Sequence, residues 1–302
     1  MYDQVAQNKR RSAVLILVFV ALTAAVIWFA LQLLGVTGIG IVGVAAAISI
    51  GTAWLAYWKS DTVALRMSRA VVADPTEYAR LHNLVEGLCI ASGLPKPGIY
   101  VIDDVAPNAF ATGRNPKHAA IAVTTGLLEK MNRVELEAVL AHELSHVKNY
   151  DVLVATLAVT LVGLLALVSD VFIRFMWWNG GRRGRSDRDG GVAPPLAIFG
   201  FVLLLLAPFI ARLLQFAVSR RRESLADVSA IEMTRYPPGM ISALEKLRDD
   251  STVVHASSRA TAHLWIEAPV ALSEPEGRLS RWNRMYDTHP PIEERIEALR
   301  EL

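Results

Sequence analysis

Leu140-Ala141-His142-Glu143-Leu144-Ser145-His146 is the stretch on which the reading of this 302-residue chain turns. It lies in a run of good helix formers that opens at Asn132-Arg133-Val134-Glu135, the pattern of a capping box. Asn132 is the expected N-cap, with Glu135 reaching back to it. Val139, Leu140, Leu144 and Val147 give the helix an apolar stripe as far as Lys148. Residues four apart share a helical face, so His142 and His146 present two imidazoles to one ion. Glu143 is turned about a quarter of the way round the helix, beside the ion's open side without being a ligand. Metal-assisted hydrolysis needs this combination, because a carboxylate must take the proton of the attacking water. An ordinary helix carries the same pattern by chance in some proteins, so the rest of the chain has to decide.

The composition narrows the class. With 53% hydrophobic residues and a positive mean hydropathy, the chain is too apolar for an ordinary soluble domain. A net charge of +2 is close to neutral and implies no general attraction to nucleic acid. The single cysteine, Cys89, makes no internal disulfide and no thiolate metal cluster, and is read as a small buried hydrophobe.

Hydrophobic runs divide the chain. After Asn8-Lys9-Arg10-Arg11, an apolar run from about 13 to 34 is long enough to span a bilayer and too long for a signal-peptide core. A second run, about 41 to 58, ends on Tyr57-Trp58, aromatics suited to a membrane interface. Lys59, Arg66 and Arg69 follow, so basic residues flank both outer ends of this hairpin and place them in the cytoplasm. Residues 61–151 are globular in composition. Within them Pro75 to Ala91 is expected to be an amphipathic helix, with Leu81, Leu84, Val85 and Leu88 on its apolar face. Ile99–Ile102, Asn108–Gly113 and Ala119–Thr124 are expected to be strands, the last two joined around Asn115-Pro116. His82 and His118 are read as ordinary histidines.

Residues 152–217 hold two further apolar runs, Val152–Val168 and Leu196–Ala217, around a loop that contains Arg182 to Arg188. These arginines would lie outside if the pair crosses fully, against the usual cytoplasmic bias of basic residues. The pair is therefore read as a second transmembrane or re-entrant hairpin. Residues 218–302 are polar and helical, with a terminal helix starting at Pro290-Pro291. His255 and His263 lack ligand spacing.

A catalytic zinc takes three protein ligands, and the third is sought downstream. Glu223 and Asp227 lie four apart in Arg222-Glu223-Ser224-Leu225-Ala226-Asp227 and share a helical face. Glu223 would bind the metal while Asp227 accepts a hydrogen bond from a ligand histidine's second nitrogen. A solvated charged face has the same spacing, and spacing alone does not choose. Two crossings, or a re-entrant hairpin, between His146 and Glu223 return the chain to one side, so the three ligands are free to meet at the cytoplasmic surface of the bilayer.

Together these stretches resemble the HtpX-type membrane zinc metallopeptidases, heat-shock proteases related to the CAAX prenyl endopeptidases. The resemblance runs through Asn108-Ala109-Phe110-Ala111-Thr112-Gly113, the His142–His146 run, Glu223 to Asp227 and Thr288-His289-Pro290-Pro291-Ile292-Glu293-Glu294-Arg295. It implies an α-rich membrane protein with four transmembrane helices and a cytoplasmic α+β gluzincin-type protease domain with a small antiparallel sheet. The domain would come in two parts, 61–151 and 218–302. It further implies one Zn2+ per chain on His142, His146 and Glu223, with Glu143 as the catalytic base. Asn108 would lie on a substrate-binding edge strand, His289 near the oxyanion, and Arg295 in support of the site. The implied role is protein quality control in the cell membrane under stress, with misfolded or damaged membrane proteins as substrates and the bilayer as the other partner. Two other readings share the pattern: a processing peptidase with one defined substrate, and a non-enzymatic zinc scaffold, which would need a fourth protein ligand.

Overall fold

The computed structural model describes residues 2–33, 38, 40–157, 220–252, 254, 264–266 and 291–301. The chain opens with two long antiparallel helices, α1 (Tyr2–Leu33) and α2 (Gly40–Met67). Both are long and apolar enough to cross a membrane. Their packing is the inverse of a soluble helix pair. Ala45, Ser49, Ala53, Ala56, Ser60 and Ala64 line the buried face of α2, whereas Ile48, Ile50, Trp54, Leu55 and Trp58 point outward. Small residues at spacings of three and four let Phe19 of α1 sit on Ala53 and Ala56, the close approach that helices use in lipid.

Helix α2 continues nine residues past the expected end at 58. Its 28 residues rise about 42 Å, more than the ~30 Å of a hydrocarbon core. The surplus is used: Ala64 and Leu65 pack into a cluster with Ile102, Phe110, Ala122 and Trp265 beneath the sheet.

That sheet has four strands, β1 (Val71–Val72), β2 (Gly98–Ile102), β3 (Ala109–Asn115) and β4 (His118–Thr124), in the order β1-β2-β4-β3. The expectation of an antiparallel sheet is corrected. Pairs β1–β2 and β3–β4 are antiparallel, but β2 and β4 are parallel, with Ile99 opposite Ile121 and Val101 opposite Val123. The cause is the hairpin: its second strand slots between β2 and β3, which puts β4 alongside β2 in the same direction and leaves β3 at the edge. Gly113 (φ 140°) makes the irregularity near the hairpin turn, where a Cβ would lie 2.3 Å from the His118 carbonyl oxygen.

Both faces of the sheet are covered, by alternate residues of each strand. Ile121 and Val123 join the main core with α3 (Ala79–Ser92) and α5 (Arg133–Lys148), while Ala120 and Ala122 face the end of α2. Helix α3 begins at Ala79 and not at Pro75. The Asp74 carboxylate accepts from the Thr76 and Glu77 backbone N–H groups and holds residues 75–78 in a turn.

Short α4 (Thr125–Lys130) leads into α5, which opens with the expected capping box: Asn132 Oδ1 accepts from Glu135 N and Glu135 Oε2 accepts from Asn132 N. Glu135 also receives Ser242 Oγ and Lys246 Nζ, tying α5 to a later helix. Around α5 pack α6 (Arg220–Thr234), α7 (Pro237–Asp249) and, against α7, the terminal α8 (Ile292–Arg300). Residues 151–157 are helical. Beyond 157, the two further hydrophobic runs and their basic loop lie outside the described residues, as do His255, His263 and His289.

Candidate metal centre

Helix α5 is buried along most of its length, so its polar side chains are held by packing. His142 and His146, one turn apart, bring their Nε2 atoms to 3.2 Å. Helix α6 crosses α5 and carries Glu223 to them: Oε2 is 3.5 Å from His142 Nε2 and Oε1 is 3.6 Å from His146 Nε2. One donor atom from each of the three residues falls within 4.8 Å of the others.

The outer nitrogens decide what the inner ones offer. His142 Nδ1 lies 2.8 Å from Asp227 Oδ1, and His146 Nδ1 lies 3.3 Å from Asp151 Oδ2. Each carboxylate holds a proton on Nδ1, which leaves a lone pair on each Nε2. Two lone pairs aimed at each other beside a carboxylate require a proton or a cation between them. Ligand bonds of about 2.0–2.1 Å in tetrahedral geometry separate neighbouring donors by about 3.3 Å. The donor set and its spacing therefore fit a metal.

The electrostatics agree. Burial opposes a charge on His142, but Asp227 and then Glu223 outweigh it and hold the imidazolium up to about 9. For His146 burial again works downward, while Glu223 and Asp151 raise it. Asp227 would be pushed up by burial, yet Arg295 and His142 keep it below the usual carboxylate range. Arg295 does so with both prongs, Nε to Oδ2 at 2.8 Å and Nη2 to Oδ1 at 2.6 Å.

Glu143 is 2% exposed, and its side chain is directed at the edge strand. Burial raises its carboxyl; the two histidines and the Ala111 N–H act the other way without cancelling the rise. Asn108 sits one residue before β3, where its Oδ1 accepts from Ala109 N at 3.0 Å and its N–H donates to Thr124 Oγ1 at 2.9 Å. The outer edge of β3 is engaged at both ends: Ile266 N donates to the Ala109 carbonyl at 3.0 Å, and Gly113 N donates to Thr156 Oγ1 at 3.3 Å. Between them, Ala111 faces Glu143.

His82 contacts the Ala73 carbonyl and exposed His118 contacts Asn115, both away from the cluster. Sequence reasoning missed Asp151, which figures there only as the last residue of the globular stretch 61–151. Its one signal was an acid five residues beyond the second histidine, just past the end of α5.

Comparison with known proteins carries the reading further. The profile of peptidase family M48 matches residues 75–302. The chain is 40% identical to the "Protease HtpX homolog" of Thermoanaerobacter pseudethanolicus, over 100% of this chain and 98% of that one. It is 41% identical to the protein of the same name from Limosilactobacillus reuteri, over the whole of both. Among solved structures, S. mikatae Ste24p superposes with a TM-score of 0.45 at 19% identity, covering 82% of this chain and 58% of that one. The chain belongs to peptidase family M48. With its two apolar helices and its donor cluster, it is a membrane-associated metalloprotease.

Proposed function

We propose that this protease is a membrane-bound, zinc-dependent endopeptidase that hydrolyses peptide bonds of misfolded or damaged membrane proteins, as part of protein quality control under stress. The observation that carries it is the meeting of His142, His146 and Glu223 within 4.8 Å, beside a buried carboxylate that is not one of the three. One zinc per chain would be held by those three side chains. Zinc bound there supplies a Lewis acid and lowers the pKa of its water to about 7.

Glu143 takes the proton of the attacking water and passes it to the leaving amine, a role helped by the raised affinity of its buried carboxyl for protons. Asp227 and Asp151 keep His142 and His146 in the tautomer that donates a lone pair. An extended substrate pairs with the β3 edge near Ala111, next to Asn108, which selects unfolded segments over particular side chains. By the family resemblance, His289 would stand near the oxyanion and help to stabilise it.

In this reading the chain lies in the cytoplasmic membrane with the hairpin 13–34 and 41–58, a second hairpin within 152–217, and protease parts 61–151 and 218–302 in the cytoplasm. The basic residues at both outer ends of the first hairpin support that orientation. Its partners are the lipid bilayer and unfolded polypeptide, with no nucleic acid.

The test uses detergent-purified protein and Glu143→Gln, each assayed for zinc content and for cleavage of unfolded casein by mass spectrometry. One zinc in both, with loose-specificity cutting by the parent alone, is expected. Cleavage at a single narrow motif would favour a processing peptidase. Equal zinc with no cutting of casein or of membrane-protein substrates would leave a structural metal and overturn the proposal.

A further inference from the structure

Asp151 has a second partner that the metal centre does not explain. After α5 the chain turns at Tyr150, which has a left-handed φ of 61°, and this brings the Asp151 carboxylate back toward the helix it has just left. Oδ2 then faces His146 Nδ1 at 3.3 Å. Oδ1 receives the amide of Asn8, at 2.6 Å, from α1. The same Asn8 nitrogen donates to the Asn149 carbonyl at 2.9 Å. Both of its protons are therefore used on acceptors that cannot donate, so the amide has one possible orientation. Asn8 is 3% exposed and Asp151 5%. Arg222 Nη1, adjacent to Glu223 in sequence, lies 3.6 Å from Asp151 Oδ1 on the third side.

We infer that Asn8 is a positioning residue for the metal centre: through Asp151 it fixes the orientation of His146, making the first membrane helix part of the zinc site. The inference rests on the reading of His146 as a zinc ligand. An acid with one oxygen on a ligand histidine can swing about its χ2 torsion, and a donor on the other oxygen stops it. Loss of the carboxylate partner of a ligand histidine typically costs about 10–100-fold in metal affinity, and a donor that holds that partner in place acts at the low end of this range. The same corner supplies a control. Lys9 Nζ lies 4.6 Å from the centre of the Tyr150 ring, a contact that docks α1 on the turn without touching Asp151.

The experiment takes the full chain in detergent, well below its melting temperature, as parent, His146→Ala, Asn8→Leu, Asn8→Ala and Lys9→Ala. Zinc affinity is read by chelator competition, ligand geometry by the visible bands of cobalt bound in place of zinc, and fold integrity by the melting temperature in excess chelator. Asn8→Leu is expected to weaken zinc about tenfold and to shift the cobalt bands. Asn8→Ala should act in the same direction and covers the case in which the leucine variant does not fold. Lys9→Ala should keep the parent affinity within about twofold. Parental zinc affinity and cobalt bands in both Asn8 variants, whatever their melting temperatures, would overturn the inference. A parent that binds no zinc, or a His146→Ala protein that binds it as tightly, would instead sink the zinc reading beneath it.

Discussion

Asp227 stands between His142 and Arg295, its Oδ1 2.8 Å from the His142 Nδ1 and 2.6 Å from the Arg295 Nη2, all three almost fully buried. The chain of contacts links α8 to α5 through α6. Its strength depends on the planar fork of Arg295, which engages both oxygens of Asp227 and stops the carboxylate from turning. Lysine offers a point charge with no fork. Arg295→Lys should therefore leave Asp227 charged but loosely aimed, and weaken zinc about 10–100-fold. Chelator competition measures this directly, and parental affinity in Arg295→Lys would show that the fork is dispensable.

Protons and metal compete for the same nitrogen. Asp227 and Glu223 hold a proton on His142 up to about 9, so cation binding must displace it. The sign follows: below that pH the imidazolium is favoured and apparent zinc affinity falls as pH falls, while above it the competition ends. Chelator competition at about pH 6 and about pH 8 should find the tighter binding at the higher value. Zinc at about a hundred times its dissociation constant should also stabilise the parent by about 2.7 kcal/mol. That gain should vanish in His146→Ala, as a melting curve with and without zinc will show.

How much of this was legible in the sequence depends on the range of the interaction. The capping box and the two histidines are local, fixed by spacings of three and four residues on one helix, and the structure has the box where the pattern put it. The hairpin β3–β4 was legible from its strands and turn, but its insertion beside β2 was not, because strand order is set by long-range packing that alternation does not encode. Helix α2 overran its expected end for a related reason: Ala64 and Leu65 are unremarkable as membrane residues and find their partners in Phe110 and Trp265. Asn8 lies 143 residues from Asp151, and nothing near either one announces the pair.

The N-terminus of α5 gives a pH test away from the metal. Glu135 is 2% exposed; burial alone would raise its carboxyl, but hydrogen bonds from Lys246, Ser242 and the Asn132 N–H bring it below its ordinary 4.5. A depressed carboxyl stabilises the fold above its unfolded value, and that contribution is lost as pH falls through the folded one. Glu135→Gln, which keeps the shape but loses the charge, should cost about 1–2 kcal/mol at neutral pH. The gap in melting temperature between parent and variant should narrow below about pH 4.5. A constant gap down to about pH 3 would mean that the charge contributes nothing.

The two faces of α2 make opposite demands on side-chain size. Ala53 is 6% exposed and lies against Phe19, with no room for a branched chain at the close approach of α1 and α2. Leu55, two residues on, is 62% exposed and points away from the close approach of α1 and α2. In a soluble helix pair the larger residue inside would be the stabilising one; here the pattern is reversed, as suits helices surrounded by lipid tails as apolar as leucine. Ala53→Leu should therefore force the helices apart at a cost of about 1–3 kcal/mol, whereas Leu55→Ala should change stability by less than about 0.5 kcal/mol. Thermal unfolding in one detergent compares them. A destabilised Leu55→Ala beside an unperturbed Ala53→Leu would mean that the outward face, and not the small-residue face, carries the packing of the helical pair.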